Sequence, residues 1–229
     1  MKKVISKCAH PWDLSPREAV ALQKELAAQV IFEKQLGPVA SVAGVDVSLR
    51  SGKARAAVVV LNYPELEPAD YTTAVRPVAF PYIPGLLSFR EGPVILDALS
   101  KLAARPELLI FDGQGQAHPR RLGIASHIGL LTDLPTIGCA KSRLCGRHDE
   151  PGLKRGSHAL LVDQDEVIGA VVRTRTRVKP VYVSPGHRVD LPTSIEYVLA
   201  CCRGYRLPET TRWAHRVAGG ETPSIHSIS

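Results

Sequence analysis

The chain has 229 residues and a mass of 24.8 kDa, room for one large domain or two small ones. Its 45% hydrophobic and 22% charged residues exclude disorder, a collagen helix and a coiled coil, and apolar runs such as Ala56–Leu61 are far too short to cross a bilayer. A net charge of +7 suits an anionic partner, nucleic acid or an acidic membrane surface, while 5% aromatic residues argue against a base-stacking platform as the main activity.

Ser15-Pro16-Arg17-Glu18 is a helix start, with an N-cap serine, proline at the first position and a capping-box glutamate. Apolar residues at Ala19, Leu22, Leu26 and Val30 predict that helix to run to about Lys34. Valine-rich Ser41–Leu49 and Ala54–Asn62, with Ser51-Gly52 between them, predict a hairpin, and Tyr71–Phe80 a third strand in meander order. After the Pro81–Gly85 break, Ser88-Phe89-Arg90-Glu91 reads as a second capping box opening a helix to about Leu102, with Pro93 in its first turns. Leu108–Asp112 reads as a strand buried on both faces, Leu122–Leu131 as a helix and Thr136–Ala140 as a further strand, an alternation that implies parallel crossovers. Ala159–Asp163 and Val167–Arg173 form a late hairpin around Gln164-Asp165. Val181–Val183 adds a short strand, and helices from Thr193 and Glu209 close the chain. The expectation is one α/β domain over residues 1–229, with a patternless and disordered tail from Val217 to Ser229.

Met1-Lys2-Lys3 has no apolar segment behind it, so a cytoplasmic location with reduced thiols is expected. Cys8, Cys139, Cys145, Cys201 and Cys202 contain no C-x-x-C pair, which argues against a disulfide framework or a zinc site. Cys201-Cys202 are read as small packing residues on a helix.

Three acids stand where the pattern calls for apolar or neutral residues. Asp46 lies inside Val42-Ala43-Gly44-Val45-Asp46-Val47, and an unpaired carboxylate buried there would cost several kcal/mol, roughly. Its ordinary reading is a buried Asp–Arg pair or a strand-end hydrogen bond. Asp112 ends the apolar strand and precedes Gly113, where ligands collect at the carboxyl ends of parallel strands, although Asp-Gly also ends strands as a simple turn. Glu91, a capping residue by its local context, is the third. Together they suit an oxygen-ligated Mg²⁺ or Mn²⁺, of the kind that assists phosphodiester cleavage, and the basic surface would hold the rest of a polyanion.

Gly113-Gln114-Gly115-Gln116-Ala117-His118 is not a dinucleotide fingerprint, because His118 occupies the third glycine position and Asp112 would repel a pyrophosphate. A loop of small residues carrying His118 instead suits the positioning of a phosphate or a water; otherwise His118 is a solvent-facing loop residue. Lys141 emerges from a strand end, either as a phosphate partner or as an ordinary surface lysine. Arg173, Arg175 and Arg177 alternate along one strand face, a solvated edge row or a phosphate track. In Pro81-Tyr82-Ile83-Pro84-Gly85 two prolines stiffen the backbone around Tyr82, giving either a tight turn packed on the core or a wedge that enters a duplex.

These segments, Val42–Ser48, Pro81–Glu91, Phe111–Gly115, His118–Gly123 and Ile137–Lys141, resemble in order and spacing the motifs of the endonuclease V family of deoxyinosine-directed repair nucleases. Ser184-Pro185-Gly186-His187 and Thr211-Arg212-Trp213-Ala214-His215 extend the resemblance over most of the chain. It implies a ribonuclease-H-like mixed sheet flanked by helices, and Mg²⁺-dependent hydrolysis, with Mn²⁺ able to substitute, of the second phosphodiester 3′ to the lesion. By position, Asp46, Glu91 and Asp112 would hold the metal, Lys141 would meet the phosphate and His118 would help place the attacking water. Tyr82, with Pro81, Ile83, Pro84 and Arg90, would meet the substrate at the wedge, and Gly113 would line the pocket for the flipped base. His215 stands where family members vary between an acid and a histidine, and would sit behind the ligands. The implied partner is DNA containing deoxyinosine, or RNA containing inosine, with no membrane and no obligate protein partner. The runners-up are another ribonuclease-H-like nuclease or a non-catalytic binder of distorted duplexes. A binder would gain nothing from three carboxylates that repel phosphates in the absence of metal.

Overall fold

The computed structural model describes residues 9–225, so the readings of Met1-Lys2-Lys3, of Cys8 and of the last four residues lie outside the described part. Helix α1 (Pro16–Ala27) begins at the expected capping box: the Ser15 hydroxyl accepts from the Glu18 amide at 3.3 Å, and the Glu18 carboxylate accepts from the Ser15 amide at 2.8 Å. It stops well short of Lys34 because the following backbone bonds to the segment at His187 and Arg188 instead. Ile31 N donates to His187 Nδ1 at 3.2 Å, Arg188 N to Ile31 O at 2.6 Å and Gln35 N to Arg188 O at 3.0 Å.

Strands β1 (Ser41–Arg50) and β2 (Lys53–Asn62) form the expected hairpin, and β3 (Pro68–Pro77) completes the meander. β3 lies earlier than the predicted Tyr71–Phe80. Pro77 ends the ladder, and Phe80 packs with Leu86 and Phe89 in a separate small core under the Pro81–Gly85 turn. Helix α2 (Leu87–Leu99) has Leu86 at its N-cap and no side-chain cap. The second capping box does not form: Ser88 is buried in the first turn and its hydroxyl meets His127 Nδ1 at 2.9 Å. Then follow β4 (Leu108–Phe111), α3 (Ile124–Thr132), β5 (Thr136–Ala140), β6 (His158–Asp163), β7 (Glu166–Val172), β8 (Val181–His187), α4 (Leu191–Ala200) and α5 (Glu209–Ala218).

The eight strands form one mixed sheet in the order β3-β2-β1-β4-β5-β8-β7-β6. Only β1–β4 and β4–β5 pair in parallel, through the crossovers that carry α2 and α3. Helices α2 and α3 cover one face over Val45, Leu109 and Phe111, and α4 and α5 cover the other over Val42, Leu108 and Ile110.

Two local readings are corrected. β7 ends at Val172, and Arg173 turns inward, donating to Glu150 at 2.7 Å, to Val178 O at 2.7 Å and to Pro151 O at 2.9 Å. Arg177 sits in a turn at φ 61°, so the three arginines share no strand face. The tail was expected from Val217, but Val217 and Ala218 are the buried last residues of α5. Cys201 and Cys202 cap and follow α4 as buried free thiols, each pushed up to about 12 by burial.

α5 can lie across β1 only because Gly44 has no side chain: a Cβ there would stand 1.9 Å from Thr210 O. Gly44→Ala should lower the unfolding free energy by about 2 kcal/mol, read as a lower urea midpoint at unchanged slope. A wild-type midpoint would mean that α5 is not seated on β1.

Candidate active site

The site follows from the period of two along three neighbouring parallel strands. On one sheet face, Val42 and Gly44 lead to Asp46 in β1, Leu108 and Ile110 lead to Asp112 after β4, and Ile137 and Cys139 lead to Lys141 after β5. The inner members are core. Asp46 lies within β1, while Asp112 and Lys141 follow the ends of β4 and β5; the parallel register of β1 and β4 ends at Val45 opposite Phe111, one residue before the two aspartates. Adjacent parallel strands run about 4.8 Å apart, which sets two carboxylates side by side.

Their charges are only partly answered. Lys141 Nζ is ion-paired to Asp112. His215, from α5, places Nδ1 2.8 Å from Asp46 Oδ2. Burial raises the Asp46 pKa against the opposing His215 contact, and Asp112 raises it further. Glu91, in the second turn of α2, is pushed up to about 8, first by burial and then by the charge of Asp46. Asp112 thus disfavours the charge on Asp46, and both disfavour the charge on Glu91, which makes the three a candidate site for a cation. Among the described residues no group of three or more acids, histidines or thiols is arranged so that it could hold a metal ion by itself. Few protein ligands and open positions are what Mg²⁺ takes when waters and substrate phosphates complete its shell, so the oxygen-only donor set fits.

Beside Asp112 lies a cavity of about 320 Å³ lined also by Gly113, Gln114, Ile124 and Lys141, by the Tyr82–Gly85 turn, and by Arg143 and Leu144. Gly113 has no room for a side chain there: a Cβ on it would come within 2.6 Å of the Ile124 side chain at Cγ2. Tyr82 does not pack on the core. It is 70% exposed between the exposed Pro81 and Pro84, with Arg90 Cζ 5.9 Å from its ring. The aromatic residue therefore stands out of the surface beside the cavity mouth.

His118 is not free to place a water. It is buried, its Nε2 lies 2.9 Å from Gly85 O, and its Nδ1 accepts from the Arg120 amide at 3.1 Å. These partners fix a neutral ring with the proton on Nε2, and burial lowers its pKa to about 4. The loop histidine holds the Pro81–Gly85 turn.

Spacing gave no sign of Gln23, Arg120, Arg206 or the His10–His127 pair. Arg206 donates to Lys141 O at 2.7 Å and to Pro180 O at 2.9 Å, bracing the strand end beneath Lys141. His127 is fully buried, with Nε2 2.8 Å from His10 Nε2, and burial first and His10 second lower its pKa to about 3. An unfolded chain protonates this histidine near 6.5 and the folded one does not. Its contribution is therefore complete above pH 6.5 and is lost as pH falls toward 3. Between pH 6 and 4 it should steepen the loss of stability by about 1.4 kcal/mol per pH unit. Urea titrations of wild type and His127→Gln check this, and equal slopes would remove His127 as the cause.

With this geometry in place, the comparisons with known proteins are specific. The model of the family "Endonuclease V" matches residues 24–216. Endonuclease V of Trichormus variabilis is 55% identical over 91% of this chain and 96% of that protein, and endonuclease V of Methanothrix thermoacetophila is 55% identical over 91% and 93%. The crystal structure of endonuclease V from Streptomyces avermitilis superposes with a TM-score of 0.87 at 45% identity, covering 91% of this chain and 93% of that one. A Ciona intestinalis endonuclease V, in complex with a 23mer DNA containing an inosine followed by a ribo-adenosine, superposes with a TM-score of 0.79 at 30% identity, covering 90% and 97%. The mixed eight-stranded sheet is the ribonuclease-H-like fold of these structures. The chain belongs to the endonuclease V family.

Proposed function

We propose that the protein is a DNA repair nuclease that recognises deoxyinosine and hydrolyses the second phosphodiester on its 3′ side, leaving a 3′-hydroxyl and a 5′-phosphate. The observation that carries this reading is Asp46 and Asp112 side by side just past the end of the parallel β1–β4 ladder, with the cavity opening next to Asp112. Asp46, Asp112 and Glu91 would hold Mg²⁺, or Mn²⁺ in its place. The ion would polarise the phosphate and stabilise the leaving oxygen.

The chain's own groups do the rest. Tyr82 and its prolines part the base pairs, and the flipped base enters the cavity, where Gly113 and its neighbours meet its edges. Lys141 exchanges its pairing with Asp112 for the scissile phosphate as substrate arrives. Arg90 steadies the strand beside Tyr82. His215 orients the Asp46 carboxylate. His118 acts through the wedge turn that it holds.

The test is cleavage of a duplex bearing one deoxyinosine, with Mg²⁺ or with EDTA, beside an undamaged duplex. A single Mg²⁺-dependent nick 3′ to the inosine is expected. No nick from folded protein, with Mn²⁺ also tried, would overturn the reading. Because the Ciona relative is bound to DNA in which a ribo-adenosine follows the inosine, a matching RNA strand belongs in the assay as the second reading. With a net charge of +7, affinity should also fall roughly 10³-fold or more from 50 to 200 mM salt if six or more phosphates are contacted. Binding that ignores salt would contradict a phosphate-tracking surface.

No helix among the described residues is long and apolar enough to cross a membrane. The cytoplasmic location remains part of this proposal.

A further inference from the structure

The wedge has an exposed tip and needs a buried root. Parting stacked base pairs costs a few kcal/mol, roughly, at each step, and a loop that yields by a fraction of that cannot transmit it. The two prolines stiffen the segment around Tyr82, and Leu86 N donates to Ile83 O at 2.9 Å, which closes its base. Stiffness alone does not fix the segment to the protein. The tip itself is held by little more than the Arg90 guanidinium 5.9 Å from the ring.

The root is the carbonyl of Gly85, which accepts from Gln23 Nε2 at 3.0 Å, from His118 Nε2 at 2.9 Å and from Arg120 Nη2 at 2.8 Å. One of these donors is a guanidinium, which strengthens its bond. Gln23 is 1% exposed and its amide is fully used: Nε2 also donates to Leu122 O at 3.3 Å, and Oε1 accepts from Arg120 Nε at 2.5 Å. Both acceptors of the amide group are carbonyl oxygens, so its orientation is fixed. The backbone is shaped for this convergence. Gly85 sits at φ +80°, and a Cβ there would stand 2.7 Å from Arg120 Nη2. Through Leu122 the same network reaches Gly123 and Ile124, the start of α3, which lines the cavity. One set of bonds therefore joins the foot of the wedge to the wall that receives the base.

We propose that Gln23 and Arg120 are positioning residues for the reaction: with His118 they clamp the Gly85 carbonyl and hold Tyr82 rigidly in register with the cavity. Neither touches the reacting atoms. Gln23 belongs to α1, outside the span of the family match, and works at a distance through the turn. The proposal rests on the functional reading above.

The test is a double-mutant cycle on inosine-duplex cleavage, with Gln23→Leu, Arg120→Lys and Tyr82→Ala singly and in pairs. Arg120→Lys keeps the charge and gives up the fork, so it tests the clamp where Gln23→Leu fails to fold. Losing one such bond should lower kcat/KM about tenfold on the duplex. In the Tyr82→Ala background the same substitution should cost less than about twofold, because the wedge it serves is gone. A 2-aminopurine placed next to the inosine should show reduced base opening with either clamp variant. Equal losses with and without Tyr82, or no loss on the duplex, would overturn the proposal. Failure of the unmutated protein to nick the inosine duplex would instead remove the functional reading, and this proposal with it.

Discussion

Asp112→Asn is expected to lose strand cleavage by about 10³-fold or more while still binding an inosine duplex. The substitution keeps size and shape and removes one charge. That charge is the partner of Lys141 and lies beside Asp46, so it can act in the cation site and on the scissile phosphate together. In the proposed function recognition would use other groups, Tyr82 and the cavity lining at Gly85, Gly113 and Ile124. In EDTA the variant should bind at least as tightly as wild type, because one carboxylate that repels phosphate is gone and Lys141 is released toward it. Single-turnover cleavage with Mg²⁺ and fluorescence anisotropy in EDTA make the two measurements. Cleavage within tenfold of wild type would take Asp112 out of the reaction, and loss of both cleavage and binding would give it a structural role.

The residues legible in the sequence are those whose chemistry contradicts their local pattern. Asp46 is a charge inside a valine-rich strand, and Asp112 is an acid at the end of Leu-Leu-Ile-Phe. Polar residues in such places need a reason beyond packing. Their common face follows from strand alternation, which is readable, together with the β1–β4 parallel register, which only the structure supplies. The sheet and its helices were legible for the same reason, because each element carries its own periodicity.

What was hidden depends on contacts between distant segments. Ser88-Phe89-Arg90-Glu91 satisfies the capping pattern, yet tertiary packing buries Ser88 against His127 and puts the N-cap at Leu86. Arg173 alternates with Arg175 in sequence, but a pocket of carbonyl oxygens draws it inside. Helix α1 has the periodicity to continue past Ala27, and the end of β8 takes up its backbone instead. His118 was read as a loop histidine near the reaction, and only the fold reveals that both its nitrogens are occupied. Gln23 has no local signature, since its partners at Gly85, Arg120 and Leu122 lie 62, 97 and 99 residues away.

Tyr82→Ala should reduce cleavage of an inosine duplex by about 10²- to 10³-fold, the equivalent of the few kcal/mol needed to unstack a step. It should reduce cleavage of an inosine single strand by less than about tenfold, because a single strand has no base pair to part. The structure separates this from a folding effect. Tyr82 is exposed and belongs to none of the packed cores, so its removal leaves Phe80, Leu86 and Phe89 packed below. Thermal unfolding of the variant should therefore match wild type. The ratio of duplex to single-strand kcat/KM is the measurement that decides. An unchanged ratio, with both substrates equally slowed, would mean that the aromatic ring supports the flipped base in the cavity rather than opening the helix. Phe should restore most of the duplex activity, since the ring face and not the hydroxyl enters the stack.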